Sequence, residues 1–192
     1  MRYDRGSMFD SYFIKRLQSM AAQYLAAHPD IKVVAVAGSI GKATTRRAVA
    51  SVLSRSYRVR MHDAHHKDPQ YIATELLGIN LPDKPRLGDW FAAIKAAKAR
   101  VGSERDVDII VQEINTTKPG DFAAVGVYLH PALTIVTGIT PEQMERFGTF
   151  EALAQEYMSI GTFSQYLLIN RDDTDVKAVQ FDVTPNFSTY GT

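Results

Sequence analysis

Residues 33–45 read Val-Val-Ala-Val-Ala-Gly-Ser-Ile-Gly-Lys-Ala-Thr-Thr, an uncharged run followed by a glycine turn, a lysine and two hydroxyl residues. A continuous valine-rich run is typical of a buried strand in a parallel sheet. Gly38 and Gly41 allow a tight turn whose backbone N–H groups point into one concave nest. A helix predicted over residues 42–53 adds the positive end of its dipole, and Lys42 can reach the outer phosphates of a nucleotide. The stretch therefore predicts a phosphate-binding loop.

This loop differs from the common phosphate-loop pattern in two places. Only two residues separate Gly38 from Gly41, where the common pattern has a longer spacer. The residue after the lysine is Ala43, whereas a serine or threonine there usually binds magnesium through its hydroxyl. We hypothesise that Thr44 supplies the missing hydroxyl. A glycine-rich turn that binds no ligand is the alternative interpretation.

Composition limits the classes of protein and partner. The chain has 192 residues, of which 45% are apolar and 22% charged, as expected for one globular domain. Its net charge of +1 implies no bulk attraction to nucleic acid or to a membrane surface. The absence of cysteine excludes disulfides, thiolate metal sites and a cysteine nucleophile. With no apolar run long enough to span a membrane and no signal-peptide pattern, we expect a cytoplasmic protein.

Apolar runs alternate with helical patterns along the whole chain. This alternation predicts an α/β fold, a three-layer phosphate-loop domain with a mostly parallel sheet covered by helices on both faces. We expect a tail and lead helix over residues 1–30 and the nucleotide-binding domain over residues 31–192. The predicted strands are 33–37, 57–61, 107–113, 133–137 and 166–170.

The lead helix carries an apolar stripe at helical spacing. An amphipathic helix usually covers its own domain, so we expect the stripe to be core, although a docking face for another domain is the alternative. The stripe consists of Phe9, Phe13, Leu17, Met20 and Tyr24.

Chemically informative residues follow several of the predicted strands. Ligands bind at the carboxyl ends of strands in such sheets, where residues 38–44, Glu113, residues 137–143 and Asn170 are expected to lie. An acid at this position can hold magnesium or its water shell. The alternative for Glu113 is an ordinary exposed glutamate at a strand end.

Several of these motifs together resemble the central, ATP-binding domain of the Mur ligases. The short loop at residues 38–44 is similar to the Gly-Thr/Ser-x-Gly-Lys-Thr-Thr loop of that family. Glu113 precedes Pro-Gly-Asp at residues 119–121, as the family's central acid does. Residues 139–148 and 170–173 resemble its Asn-Ile-x-x-x-His-Leu-x-x-Phe-Gly and Asn-x-Asp-Asp segments. The nearest branch looks like the one that adds D-alanyl-D-alanine to UDP-N-acetylmuramoyl-tripeptide.

The resemblance implies ATP-dependent carboxylate–amine ligation through an acyl phosphate in peptidoglycan synthesis, with ATP and magnesium as cofactors. The UDP-muramoyl peptide would be bound through flanking domains, so we do not expect this chain alone to complete ligation. By resemblance, Lys42 and Glu113 are catalytic residues. The implied metal contacts are Glu113, Thr44 and Gln143. The implied ATP-binding residues are Gly38, Ser39, Gly41, Lys42, Ala43, Thr44 and Asn170.

Three departures from the family pattern favour a second function. Ala43 lacks the hydroxyl, and Gln143 stands where the family has a metal-binding histidine. Residues 154–159 contain no lysine, where the family often has one. The alternative is therefore a catalytically impaired relative that acts as a nucleotide-binding or scaffold module. A simple phosphate-loop ATPase or kinase is a third interpretation, and the match at residues 141–148 argues against it.

Overall fold

The structure is a computed structural model that describes residues 5–62, 68–141, 144–172 and 186–192. Six strands form one sheet in the order β2-β3-β1-β4-β5-β6, and every pairing is parallel. The strands are β1 (Lys32–Ala37), β2 (Val59–Met61), β3 (Ile109–Glu113), β4 (Leu133–Val136), β5 (Leu167–Asn170) and β6 (Phe187–Tyr190).

Helices connect these strands, as the alternating pattern predicted. They are α1 (Arg5–Ala27), α2 (Lys42–Leu53), α3 (Ile72–Leu76), α4 (Leu87–Val101), α5 (Asp121–Gly126), α6 (Met144–Phe147) and α7 (Phe150–Met158). The predicted α/β fold with a parallel sheet is confirmed.

The central strand β1 divides the core between the two faces of the sheet. Val33, Ala35 and Ala37 join the larger apolar cluster, which also holds residues of α1, α3, α4, α5 and α7. Val34 and Val36 join the smaller cluster, where the α2 residue Ala50 packs on the sheet. Because successive side chains of a strand point to opposite faces, this split gives the three predicted layers.

The stripe on α1 is core except at its first member. Phe13, Leu17, Met20 and Tyr24 are buried, whereas Phe9 is 63% exposed. The ring of Phe13 stacks on Trp90 of α4 at a centroid distance of 5.6 Å. The expectation that the lead helix covers its own domain is therefore correct for four of the five residues.

The sequence pattern also predicts a loop over residues 138–148 and a helix over residues 150–163, and the structure differs from both. The predicted loop over residues 138–148 contains the one-turn helix α6, which ends where Gly148 N donates to Met144 O at 2.8 Å. A single turn is too short to show a helical period. The helix predicted over residues 150–163 ends at Met158 and continues as the 3-10 helix Ser159–Thr162. Serine and glycine are poorer helix formers than the residues before them, which favours the tighter final turn.

The connections after β1 and β3 leave the sheet on opposite faces. The chain runs from β1 into α2 on the smaller cluster, and from β3 into α5, whose Phe122 and Val125 lie in the larger cluster. Because β1 and β3 are paired neighbours, two adjacent strand ends are followed by connections that run to opposite faces of the sheet. Such switch points are where open α/β sheets bind ligands.

Candidate functional site

The loop after β1 depends on glycine at two positions. Gly38 has φ +133° and Gly41 has φ +77°, both in the region that side chains rarely adopt. A Cβ on Gly38 would lie 2.3 Å from Thr137 Oγ1 and 2.9 Å from Gly138 O. The backbone of this loop therefore packs directly on the segment that follows β4.

Lys42 begins α2 and folds back over the loop. Its Nζ donates to Gly38 O at 2.7 Å and to Ser39 O at 3.3 Å. Thr45 N donates to Gly41 O at 3.0 Å, which leaves the amides of Ala43 and Thr44 without an acceptor inside the helix. A cationic side chain and a helix N-terminus thus point to the same space, an arrangement that favours an anion.

The segment after β4 holds the loop from the side. The hydroxyl of Thr137 lies 3.1 Å from Ala37 O and also contacts Ile40 O. Ser39 N donates to Gly138 O at 2.7 Å, and Ser39 Oγ accepts from Thr140 N at 3.1 Å. These contacts join the loop after β1 to the segment after β4. The hydroxyl of Ser39 takes part by accepting a hydrogen bond from the backbone of that segment.

Asn170 ends β5 next to the same segment. Its Nδ2 donates to Thr137 O at 2.8 Å, and its Oδ1 accepts from Asp172 N at 3.0 Å. The segment after β4 therefore contacts the predicted ATP-binding residues of two strand ends, the loop after β1 and Asn170 at the end of β5.

Glu113 ends β3 beside the start of the loop, since its register partner on β1 is Val36. Its carboxylate forms an ion pair with Arg46 of α2, with 3.6 Å between Oε2 and Nη1. The side chain of Arg46 is 4% exposed and that of Glu113 is 13% exposed. The alternative interpretation of Glu113 as an ordinary exposed glutamate is therefore wrong. Its carboxylate already has a cationic partner in Arg46.

Two further polar residues lie buried beside this ion pair. Gln112 Nε2 donates to Glu75 Oε2 of α3 and to Glu113 O, at 2.5 Å and 2.8 Å respectively. Burial raises the pKa of Glu75 to about 7, although the bond from Gln112 and the charge of Arg46 act in the opposite direction. The sequence analysis missed Arg46, Gln112 and Glu75. For Glu75 and Gln112, the available signal was a charged or amide residue within a largely apolar segment, residues 72–77 and 109–112 respectively.

Comparison with known proteins assigns the fold to a family. Residues 36–192 match the Mur ligase middle domain family. The chain belongs to this family. The UDP-N-acetylmuramate–L-alanine ligase of Myxococcus xanthus strain DK1622 is 29% identical over 163 residues, which cover 82% of this chain and 27% of that ligase. The chain thus spans about a quarter of the length of this ligase.

Solved structures share the fold of this Mur ligase middle domain. MurF from Acinetobacter baumannii superposes with a TM-score of 0.70 at 14% identity, covering 91% of this chain and 34% of that one. The MurF ligase from Thermotoga maritima in complex with ADP gives a TM-score of 0.66 at 21% identity, covering 92% and 35%. The predicted family is confirmed. The branch stays a prediction, because the MurF structures at this identity show the fold alone and the Myxococcus xanthus relative is an L-alanine ligase.

The predicted magnesium site of this Mur ligase domain lies only partly within the described residues. Gln143 lies outside the described residues. Thr44 is exposed on the first turn of α2, and Ala43 presents no side-chain oxygen. Among the residues described, there is no group of three or more acidic, histidine or cysteine side chains that could hold a metal ion. Since the carboxylate of Glu113 is paired with a guanidinium, these residues do not fit a divalent cation while the pair is closed, and the magnesium site stays a prediction.

The elevated pKa of Glu75 predicts a specific pH dependence of stability. The folded pKa of about 7 lies above the ordinary 4.5, so the folded state binds more protons between these values and stability falls as pH rises through this window. We expect the free energy of unfolding of the wild type to fall by about 2–3 kcal/mol more between pH 4 and pH 8 than that of Glu75→Gln, because glutamine does not titrate. Urea unfolding at both pH values measures the difference. The control is Glu104→Gln, at an exposed glutamate, which should keep the wild-type change of unfolding free energy with pH. The same wild-type change in Glu75→Gln would contradict the raised pKa of Glu75.

Within the described ranges, no helix combines the length and the apolarity that a membrane span requires.

Proposed function

We propose that this chain is the nucleotide-binding domain of an ATP-dependent carboxylate–amine ligase of peptidoglycan precursor synthesis. The observation that carries the proposal is the loop at residues 38–44, where two glycines with positive φ, a lysine and a helix N-terminus converge at the switch point of the sheet. Family membership and a neighbour solved in complex with ADP support a nucleotide as the ligand.

The residues of the loop would act by binding and orienting phosphates. The amides of residues 41–44 would donate to the β- and γ-phosphates, and Lys42 would exchange its bonds to Gly38 O and Ser39 O for bonds to phosphate oxygens. Asn170 would hold the segment after β4 through Thr137 O. Such positioning and electrostatic stabilisation are the main sources of rate in phosphoryl transfer.

The chemistry proposed for the whole enzyme has two steps. An oxygen of a substrate carboxylate attacks the γ-phosphorus of ATP, which releases ADP and leaves an acyl phosphate. The amine of an amino acid or peptide then attacks the acyl carbon, so that an amide forms, phosphate leaves and the amine loses a proton. We propose that flanking domains bind the UDP-muramoyl peptide and the amine. We expect the protein to be cytoplasmic, with no nucleic-acid partner.

A second function is favoured by two observations at the same site. Ala43 offers no hydroxyl and Glu113 is already paired with Arg46. Both are expected of a relative that has kept the nucleotide pocket but lost ligation, and that acts as a nucleotide-binding or scaffold module. Phosphate release by the natural full-length protein, given ATP, the peptide precursor and the amine, separates the two functions. Release that requires all three supports the ligase, and ATP binding without release supports the module.

A calorimetric series tests the binding proposal. The chain is titrated with ATP, ADP and adenosine under identical buffer conditions. We expect affinity to rise with the number of phosphates, with micromolar binding of ATP, because the loop contacts phosphate rather than base. Equal affinities for ATP and adenosine would contradict a phosphate site at the loop.

A further inference from the structure

A buried arginine in the helix after the loop is paired with one acid and acts electrostatically on a second. Arg46 Nη1 is 3.6 Å from Glu113 Oε2, and the guanidinium also acts electrostatically on Glu75. Arg46 and Glu75 are each 3% exposed. The three charged groups come from α2, β3 and α3, so the fold and not a local turn brings them together.

This arrangement already balances the charge of Glu113. A buried carboxylate is stable only when it is paired, and here a guanidinium is its partner. A divalent cation at the same carboxylate would have to displace a buried arginine or lie next to it, and like charges at such separation repel strongly where water is excluded. The residue after the loop lysine, where a serine or threonine commonly supplies a hydroxyl to the ion, is Ala43.

We propose that Arg46 is the resident counter-ion of Glu113 and excludes divalent cations from it. As a consequence, and resting on the proposed nucleotide function, triphosphate binding at the loop does not require a metal ion held by Glu113. Arg46 is thus a determinant of ion specificity and acts through the carboxylate that it pairs with.

Manganese binding without nucleotide tests the counter-ion directly. Mn²⁺ replaces Mg²⁺ at oxygen sites and its free concentration is measured by electron paramagnetic resonance. We expect no submillimolar Mn²⁺ binding by the wild-type chain and an affinity at least about tenfold higher in Arg46→Gln. The added substitution Glu113→Gln removes this gain. The control is Arg47→Gln, which deletes the exposed cation next to Arg46 and leaves Mn²⁺ binding unchanged.

Two outcomes overturn the proposal. One is submillimolar Mn²⁺ binding by the wild-type chain, which needs no variant to fold. The other is a folded Arg46→Gln, checked by circular dichroism, whose Mn²⁺ affinity equals that of the wild type.

Nucleotide binding is measured separately in magnesium and in EDTA. We expect the ATP dissociation constant of the wild-type chain to differ by less than about threefold between the two buffers. Binding that is about tenfold weaker in EDTA overturns the inference that triphosphate binding does not require a metal ion held by Glu113. Absence of ATP binding in both buffers contradicts the proposed function instead, whereas the Mn²⁺ comparison still decides the role of Arg46.

Discussion

Gly38→Ala is expected to remove ATP binding and to destabilise the domain. The new Cβ would lie 2.3 Å from Thr137 Oγ1 and 2.9 Å from a backbone carbonyl, at a φ of +133°. Backbone strain and overpacking together cost about 2–5 kcal/mol. Because the loop must move to relieve the clash, we also expect at least about a tenfold loss in ATP affinity. Urea unfolding and calorimetric titration measure the two effects.

Gly88→Ala is the matched control for this glycine. Gly88 lies in α4, where a Cβ would meet no heavy atom within 4 Å. Alanine is the better helix former, so we expect unchanged or slightly higher stability and unchanged ATP affinity. Equal behaviour of the two alanine variants would show that the loop does not depend on glycine at residue 38.

Lys42→Ala is expected to weaken ATP binding by about 30–100-fold, which corresponds to the loss of charge-assisted hydrogen bonds to phosphate. ADP affinity should fall less and adenosine affinity not at all. The folded protein loses the bonds from Nζ to Gly38 O and Ser39 O, so we expect unfolding stability to change by about 1 kcal/mol. Calorimetry with the three ligands measures this pattern.

Arg47→Ala tests whether the effect of Lys42 is specific. Arg47 is an exposed cation in the next turn of α2, so its removal changes the net charge equally. We expect less than about a twofold change in ATP affinity, since an exposed charge at that distance is screened. Similar losses in both variants would mean that the lysine acts only through bulk charge.

The part of the site that is local in sequence was predictable. The valine-rich run, the glycines and Lys42 gave the strand, the turn and the helix over residues 42–53, and the structure has the same helix, Lys42–Leu53. Each of these features depends on residues within about one helical turn of each other, and the relevant propensities act at that range. The roles of the individual site residues remain predictions.

The buried ion cluster was not predictable because its members are distant in sequence. Arg46 reaches Glu113, and Glu75 reaches Gln112, only after β3 pairs with β1 and after α2 and α3 pack on the two faces of the sheet. The periodicity of a single segment does not predict contacts between residues this far apart in the sequence. The same reason explains why Glu113 was expected to face an ion, whereas its carboxylate is paired with a guanidinium from the helix after the loop.

The most direct test of the phosphate site is the location of bound ATP by amide ¹H–¹⁵N NMR on the wild-type chain. The account predicts that the largest chemical-shift changes on titration with ATP occur at the amides of Gly41, Lys42, Ala43 and Thr44, and that they are absent with adenosine. Unchanged loop amides would contradict it. So would changes confined to the groove at the opposite edge of the sheet, which is lined by Leu25, Pro29 and His130.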